Sequence, residues 1–345
     1  MNLPQALKFE NNFHLLAEIG VNHEGVLSTA KKMIKEAKLA GCHSVKLQAY
    51  KAEKLVTKAA TSYWDTSKEV TKSQLELFQK YDQFNVSEYA ELSNFAHSID
   101  LQFGLSIFNF DWIDPLSEFV DYFKIASADI TCTPLLEKIS NCRKPIILST
   151  GAASLQEIKA AVRTIIESGN NDVTLLHCIL NYPTDLVDSN LNFLSTLRQA
   201  FPNLRIGLSD HVADVEFERF AIARALGACL IEKHFTNDKH LPGNDHYHSG
   251  SAEDFANIIS IVNRTDSIMG TGEEILTCEI PARQGARRSI VYSQDLTAGE
   301  VIAFEHLQFK RPGIGVSPTE YKKIIGKTLS RNVSSDQLVQ MSDFT

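Results

Sequence analysis

Eight apolar runs of strand length alternate with stretches of helical period between His14 and Met269, and this alternation is the strongest constraint on the fold. The runs cover residues 14–20, 44–50, 101–107, 122–127, 144–150, 173–178, 205–210 and 229–235. Helical spacing covers 27–40 (Ser28 as a cap and Gly41 as a stop), 87–98, 111–119, 133–140, 154–168, 191–200, Val215 to Leu226, and 252–269. Strand, helix, strand makes two strands parallel neighbours. Eight such units predict an α/β fold of the (β/α)8 TIM-barrel type. A doubly wound open sheet is the alternative.

The runs end in chemistry: Glu18, Lys46, Ser106, Lys124, Ser127, Ser149, His177, His211 and His234. In a barrel those ends form one rim, where parallel α/β folds place their ligands. His211 and His234 follow successive runs separated by one helix, so they fall side by side and could hold one divalent metal. Taken singly, each could equally cap its strand. Lys46 and Lys124 with Ser106, Ser127 and Ser149 suit a phosphate or carboxylate. Ser149-Thr150-Gly151 ahead of a helix adds candidate N–H groups for an anion. Glu18 and Asp245 are candidates for proton transfer or for gripping hydroxyls. His23, His177, His240, His246 and His248 are individually uninformative. The His240–His248 cluster hints at a second metal site without diagnostic spacing.

A net charge of −8 argues against nucleic acid as the main partner, so an anionic substrate needs a local basic pocket. Six scattered cysteines with no Cys-x-x-Cys pair fit a reducing cytoplasm. Met1-Asn2-Leu3-Pro4-Gln5 lacks a signal-peptide pattern, and no apolar run is long enough for a membrane span. The polar excursion 51–81 after the second strand reads as a loop or lid near the site. After Gly270-Thr271-Gly272 and Pro281 the texture changes to short apolar runs and turns. The expected division is 1–280 for the barrel and 281–345 for a small β-rich domain with a marginal core.

In combination these stretches resemble the sialic acid synthase family. The matching residues are Ala17-Glu18-Ile19-Gly20-Val21-Asn22-His23-Glu24-Gly25, Val45-Lys46-Leu47-Gln48, Lys124-Ile125-Ala126-Ser127-Ala128-Asp129 and Leu148-Ser149-Thr150-Gly151. They continue with Leu176-His177-Cys178, Tyr182-Pro183-Thr184, Gly207-Leu208-Ser209-Asp210-His211, Glu232-Lys233-His234-Phe235-Thr236, Pro242-Gly243 with Asp245, Arg287-Arg288-Ser289 and Lys310-Arg311-Pro312-Gly313. The resemblance implies a TIM barrel followed by an antifreeze-like (SAF, β-clip) domain that covers the partner's barrel in a homodimer. It implies condensation of phosphoenolpyruvate with the aldehyde of an N-acetylated amino sugar, giving a nine-carbon 2-keto sugar acid and phosphate. Lys46, Ser106, Lys124, Ser127 and Ser149 would hold phosphoenolpyruvate. His211 and His234 would bind Mn2+ or Mg2+, with Co2+ as a further fit. Glu18 would handle the proton, acting with Lys46, Lys124 and Asp245. Gln48, Asp129, Asn181, Tyr182, Asp245 and the partner's Arg311 would position the sugar.

Three departures from the family pattern concern the sugar. Leu105-Ser106-Ile107-Phe108 stands where Ser-Thr-Pro-Phe is frequent, and Ile179-Leu180-Asn181-Tyr182-Pro183 where N-acetylneuraminate synthases have Thr-Asn-Ile-Tyr-Pro. Asp129 replaces a frequent Glu. The acceptor could therefore be N-acetylmannosamine, its 6-phosphate or a deoxy diacetamido sugar. A metal-dependent barrel hydrolase and an inactive scaffold are the competing functions.

Overall fold

The computed structural model describes residue 7 and residues 12–345 other than 68, 214, 215 and 244. The N-terminal stretch 1–5, Val215 and Asn244 therefore lie outside the described residues. Contacts divide the chain into Met1–Met269 and Gly270–Thr345, so the break precedes the 280/281 division expected from composition.

In the first unit eight parallel strands close on themselves: β1 (His14–Glu18), β2 (Ser44–Ala49), β3 (Gln102–Ile107), β4 (Tyr122–Ile125), β5 (Ile146–Ser149), β6 (Val173–Cys178), β7 (Arg205–Asp210) and β8 (Leu230–His234). Strand β1 pairs with both β2 and β8, which removes the open sheet. Strand periodicity then sorts the side chains. Leu15, Ala17, Val45, Leu47, Phe103, Leu105 and Ile231 face outward into the core shared with the helices. Leu16, Tyr122, Ile147, Leu176 and Leu230 face inward and plug the lumen. Gly104 is required there, because a Cβ at that position would lie 2.2 Å from the Tyr122 ring. The Tyr122 hydroxyl donates to the Val45 carbonyl at 3.0 Å, so the buried phenol is satisfied.

Helix signals held where side chains close the ends. Ser154 caps the helix Leu155–Glu167 and Glu157 completes the capping box. Helix Leu27–Leu39 differs: Val26 occupies the cap position and Ser28 lies inside the helix. Gly41 does end that segment, with φ of +88°.

The second unit pairs β9 (Ser289–Tyr292) antiparallel with β10 (Leu307–Lys310). Its own small core holds Ile290, Tyr292, Leu296, Ile302, Leu307, Ile324 and Leu329. Asp343 is fully buried beneath it and accepts from Arg331 at 2.6 Å and from the Tyr292 hydroxyl at 3.1 Å. No helix among the described residues is long and apolar enough to cross a membrane.

Candidate active site

The carboxyl ends of the strands open into a cavity of about 470 Å³. It falls within the roughly 300–1,000 Å³ usual for small-molecule sites. Every second residue of a strand points into the lumen, so β2 to β8 each deliver their last inward side chain to this cavity. Lys46, Gln48, Ser106, Lys124, Ser149, Cys178, Ser209, His211, Glu232 and His234 all line it. Ser127 and Asp129, on the short turn after β4, join them.

One wall is cationic. Lys124 donates to Ser149 Oγ at 2.7 Å and lies 3.4 Å from Glu232. Lys46 is in contact with Glu18 and lies 3.9 Å from the other Glu232 oxygen. Burial pushes the Lys46 ammonium down to about 7, opposed by Glu232 and reinforced by Lys124. Burial alone would raise Glu232, but Lys124 and Lys46 hold it below its ordinary value. Burial raises Asp129 to about 6, with Lys124 pulling the other way. The buried Ser106 hydroxyl has no protein partner, which fits a donor aimed at a ligand.

Glu18 is placed differently from its expected direct role. It is fully buried, does not line the cavity, and reaches it only through Lys46. Gly20 makes room for it: a Cβ there would stand 2.3 Å from Glu18 Oε1. Glu232 faces the cavity instead, at the last-but-one inward position of β8. The expected anion nest at Ser149-Thr150-Gly151 is not free either. Thr150 N–H donates to the Leu176 carbonyl and Gly151 N–H to Ser127 Oγ.

The opposite wall is imidazole. The rings of His211 and His234 lie 5.3 Å apart, as the strand ends predicted. Two further groups join them from the loop after β8. That loop returns to its own strand through the Phe235–Gly250 bridge and the Gly250 N–H bond to the His234 carbonyl. Asn22 ties it down by donating to the Phe235 carbonyl and Ser249. The result sets His248 4.8 Å from His234, ring to ring, and Asp245 3.3 Å from His234 Nδ1. The sequence pattern left His248 to a separate cluster, because loop closure has no periodic signature. His246 turns away to Thr236 Oγ1 and Glu24, and His240 is exposed.

His234, Asp245 and His248 offer ligand atoms within 4.8 Å of one another. His248 is fully buried with both ring nitrogens unpartnered, and His234 Nδ1 lacks an aligned partner. His211 Nδ1 is bonded to the Ile179 carbonyl at 2.8 Å, leaving its other nitrogen for the cavity. Burial lowers His234 and His248, so both rings are neutral and fit to be ligands. Burial works against the Asp245 carboxylate, yet a hydrogen bond from His234, and the charge that His234, His248 and His211 carry once protonated, hold it well below the usual carboxylate range. Buried nitrogens without partners cost folding energy, and a divalent cation would satisfy them. The donor set fits one.

Outward neighbours fix this wall. Asp210 accepts from Arg219 at 2.9 and 3.1 Å and from Lys233 at 2.7 Å, all three buried. This knot joins the end of β7 to the end of β8, one residue from each imidazole. Lys233 adds a bond to the Val212 carbonyl. His177 also points outward, to the Ser189 carbonyl, and Cys178 takes its place in the cavity. Tyr182 covers the histidines, 4.3 Å from the His211 ring, with Tyr247 donating to its carbonyl. Asn181 is exposed and outside the cavity lining, since the one-residue shift puts Leu180 there instead. Arg311 is exposed in the second unit. The excursion after β2 supplies Leu55, Val56, Tyr63, Trp64, Gln74 and Phe78 to the lining.

Known proteins carry the same plan. The NeuB family model matches residues 33–274 and the SAF domain model matches 287–345. N,N'-diacetyllegionaminic acid synthase of Legionella pneumophila is 36% identical over 93% of this chain and 91% of its own length. N-acetylneuraminate-9-phosphate synthase of Drosophila melanogaster is 31% identical over 96% of this chain and 95% of its own. The crystal structure of the N-acetylneuraminic acid synthetase of Leptospira borgpetersenii superposes with a TM-score of 0.70 at 30% identity, covering 81% of this chain and 95% of that one. Matched in its barrel, in its C-terminal domain and along nearly the full length of these relatives, the chain belongs to the NeuB family of nonulosonic acid synthases and carries a SAF domain.

Proposed function

We propose that the protein condenses phosphoenolpyruvate with the open-chain aldehyde of an N-acetylated amino sugar, yielding a nine-carbon 2-keto sugar acid and phosphate. The observation that carries this reading is one cavity with two unlike walls, lysines and hydroxyls on one side and imidazoles on the other. Lys46 and Lys124, with Ser106, Ser127 and Ser149, hold the donor's carboxylate and phosphate by charge-assisted bonds. Glu232 stands between the lysines, 3.9 Å from Lys46 and 3.4 Å from Lys124, and draws both ammonium groups to the same side.

His211 and His234, with Asp245 and His248 beside them, would hold a divalent metal: Mn2+, Mg2+ or Co2+. When bound, it supplies Lewis-acid polarisation of the acceptor's aldehyde oxygen. Tyr182 and Gln48 orient the acceptor's aldehyde carbon against the donor's terminal methylene carbon, and Asp129 and Asp245 grip its hydroxyls. The new carbon–carbon bond joins those two carbons, and the aldehyde oxygen takes up a proton to become a hydroxyl. Water adds at the neighbouring phosphate-bearing carbon and loses a proton, and the carbon–oxygen bond to phosphate breaks to leave the keto group. Glu18 acts on proton movement through Lys46, which it touches. The chemistry belongs to the cytoplasm, where six free thiols persist. A homodimer would bring Arg311 of the partner subunit to the sugar's acetamido group.

Mass spectrometry of a reaction holding phosphoenolpyruvate, N-acetylated amino sugars and Mn2+ tests the proposal. The expected product has the mass of acceptor plus pyruvic acid. A sugar altered without use of phosphoenolpyruvate would support a hydrolase, and no reaction at all would support a scaffold.

A further inference from the structure

The excursion after β2 decides what kind of acceptor fits. The Thr61–Ser73 bridge and the Ser62 N–H bond to the Lys72 carbonyl draw the two ends of a loop together, and Tyr63 and Trp64 at its first end line the cavity. Trp64 spends its only donor inside that loop, on the carbonyls of Glu69 and Thr71 at 3.2 Å each. Its indole therefore presents carbon to the cavity it lines. Tyr63 stands with its ring 6.4 Å from Tyr182, on the imidazole side, and is 56% exposed. Leu55, Val56 and Phe78 of the same excursion and Leu180 from the loop after β6 complete a carbon-faced wall. Side chains of this kind gain nothing from a charged group and favour an apolar substituent.

The charges of the cavity point the same way. Among the described residues its only lysine or arginine side chains are Lys46 and Lys124, and both are already paired with carboxylates. A three-carbon phosphorylated acid occupies them fully. Glu232, Asp129 and Asp245 then remain as the other ionisable acids of the lining. Of the excursion's lysines, Lys51 donates to the Asp82 carbonyl, Lys54 pairs with Asp111 and Lys80 with Glu69, while Lys58 and Lys72 are exposed and outside the cavity lining. A second phosphate would enter among carboxylates with no third lysine or arginine among the described residues of the lining to meet it.

From this we infer that the acceptor is an uncharged, deoxygenated acylamino sugar rather than a sugar phosphate, and that Val56, Tyr63, Trp64 and Leu180 select it. The inference rests on the condensation reading and narrows it. The probes are N-acetylmannosamine, its 6-phosphate and a 2,4-diacetamido-6-deoxyhexose, each given to the full chain with phosphoenolpyruvate and Mn2+. The deoxy sugar is expected to exceed N-acetylmannosamine in kcat/KM by roughly tenfold to a hundredfold, the usual range for an apolar pocket against an added hydroxyl. The 6-phosphate is expected to be the poorest. Val56→Lys should shift the ratio of phosphorylated to deoxy sugar upward by about tenfold, one new ion pair's worth. Donor consumption that is fastest with the 6-phosphate overturns this inference and leaves condensation standing. An unchanged ratio in Val56→Lys overturns the role given to the wall. Silence with all three sugars overturns the condensation reading itself, and this inference falls with it.

Discussion

The two walls of the cavity solve the problem of buried polar groups in opposite ways. On the lysine wall each ammonium has a counter-charge within the protein: Lys46 has Glu18 and Glu232, and Lys124 has Glu232, with a hydrogen bond to Ser149 besides. On the imidazole wall burial keeps His234 and His248 neutral, and nitrogens of both rings go unpartnered. The first wall balances its two ammonium charges internally, with the Ser106 hydroxyl left open, and a ligand there trades one set of ionic partners for another. The second carries unsatisfied groups that only a ligand can complete. The difference teaches where each half of the chemistry sits: exchangeable anion binding on one side, Lewis-acid support on the other.

Removing a group from the imidazole wall should have the largest effect. His211→Ala is expected to abolish metal-dependent turnover while leaving the circular dichroism spectrum unchanged; turnover at the wild-type rate would contradict the metal assignment. Next comes the knot behind that wall. Asp210→Ala strands Arg219 and Lys233 as buried cations, which costs about 3–5 kcal/mol. Urea unfolding should show it, and a loss below about 1 kcal/mol would mean that these residues are hydrated. Burial opposes the Asp210 carboxylate, but Lys233 and Arg219 still depress its pKa. Its contribution to stability is therefore present at neutral pH and is lost as pH falls through the folded value.

On the lysine wall the effects are smaller. Lys46→Met removes one charge-assisted contact, worth about 1.5–3 kcal/mol, or roughly tenfold to a hundredfold in kcat/KM for phosphoenolpyruvate. The acceptor's own binding should hardly change, and an equal loss for both substrates would break the division between the walls. The pH profile follows from the same residue. With its pKa lowered to about 7, Lys46 is charged below that value and neutral above it. Donor kcat/KM should fall as pH rises through about 7, and Lys46→Met should lack that limb. A flat wild-type profile would contradict it. Smallest of all, Arg311→Ala should weaken sugar saturation more than donor saturation; an unchanged sugar curve would count against delivery of Arg311 by a partner subunit.

The strands were legible because two periodicities coincide. Outward positions such as Leu105 and Leu175 had to be apolar to meet helices, and inward positions near the carboxyl ends were free to carry chemistry. Lys46, Lys124, His211 and His234 could therefore be placed from spacing alone. Glu18 and Glu232 show the limit: both are inward carboxylates, and only packing decides which one lies behind a lysine and which faces the cavity. His248 and Trp64 were hidden for a different reason. Each reaches the cavity through loop closure, by the Phe235–Gly250 and Thr61–Ser73 bridges, and contacts of that kind leave no repeat in the sequence. His177 was misassigned to the rim because one residue of register turns a side chain to the other face.

The most direct test of a shared cavity with two working walls is phosphate release from phosphoenolpyruvate by the full chain in the presence of Mn2+, measured with and without an N-acylated amino-sugar aldehyde. Release that requires both substrates is the result predicted. Release from phosphoenolpyruvate alone, or none with any such sugar, would contradict the account.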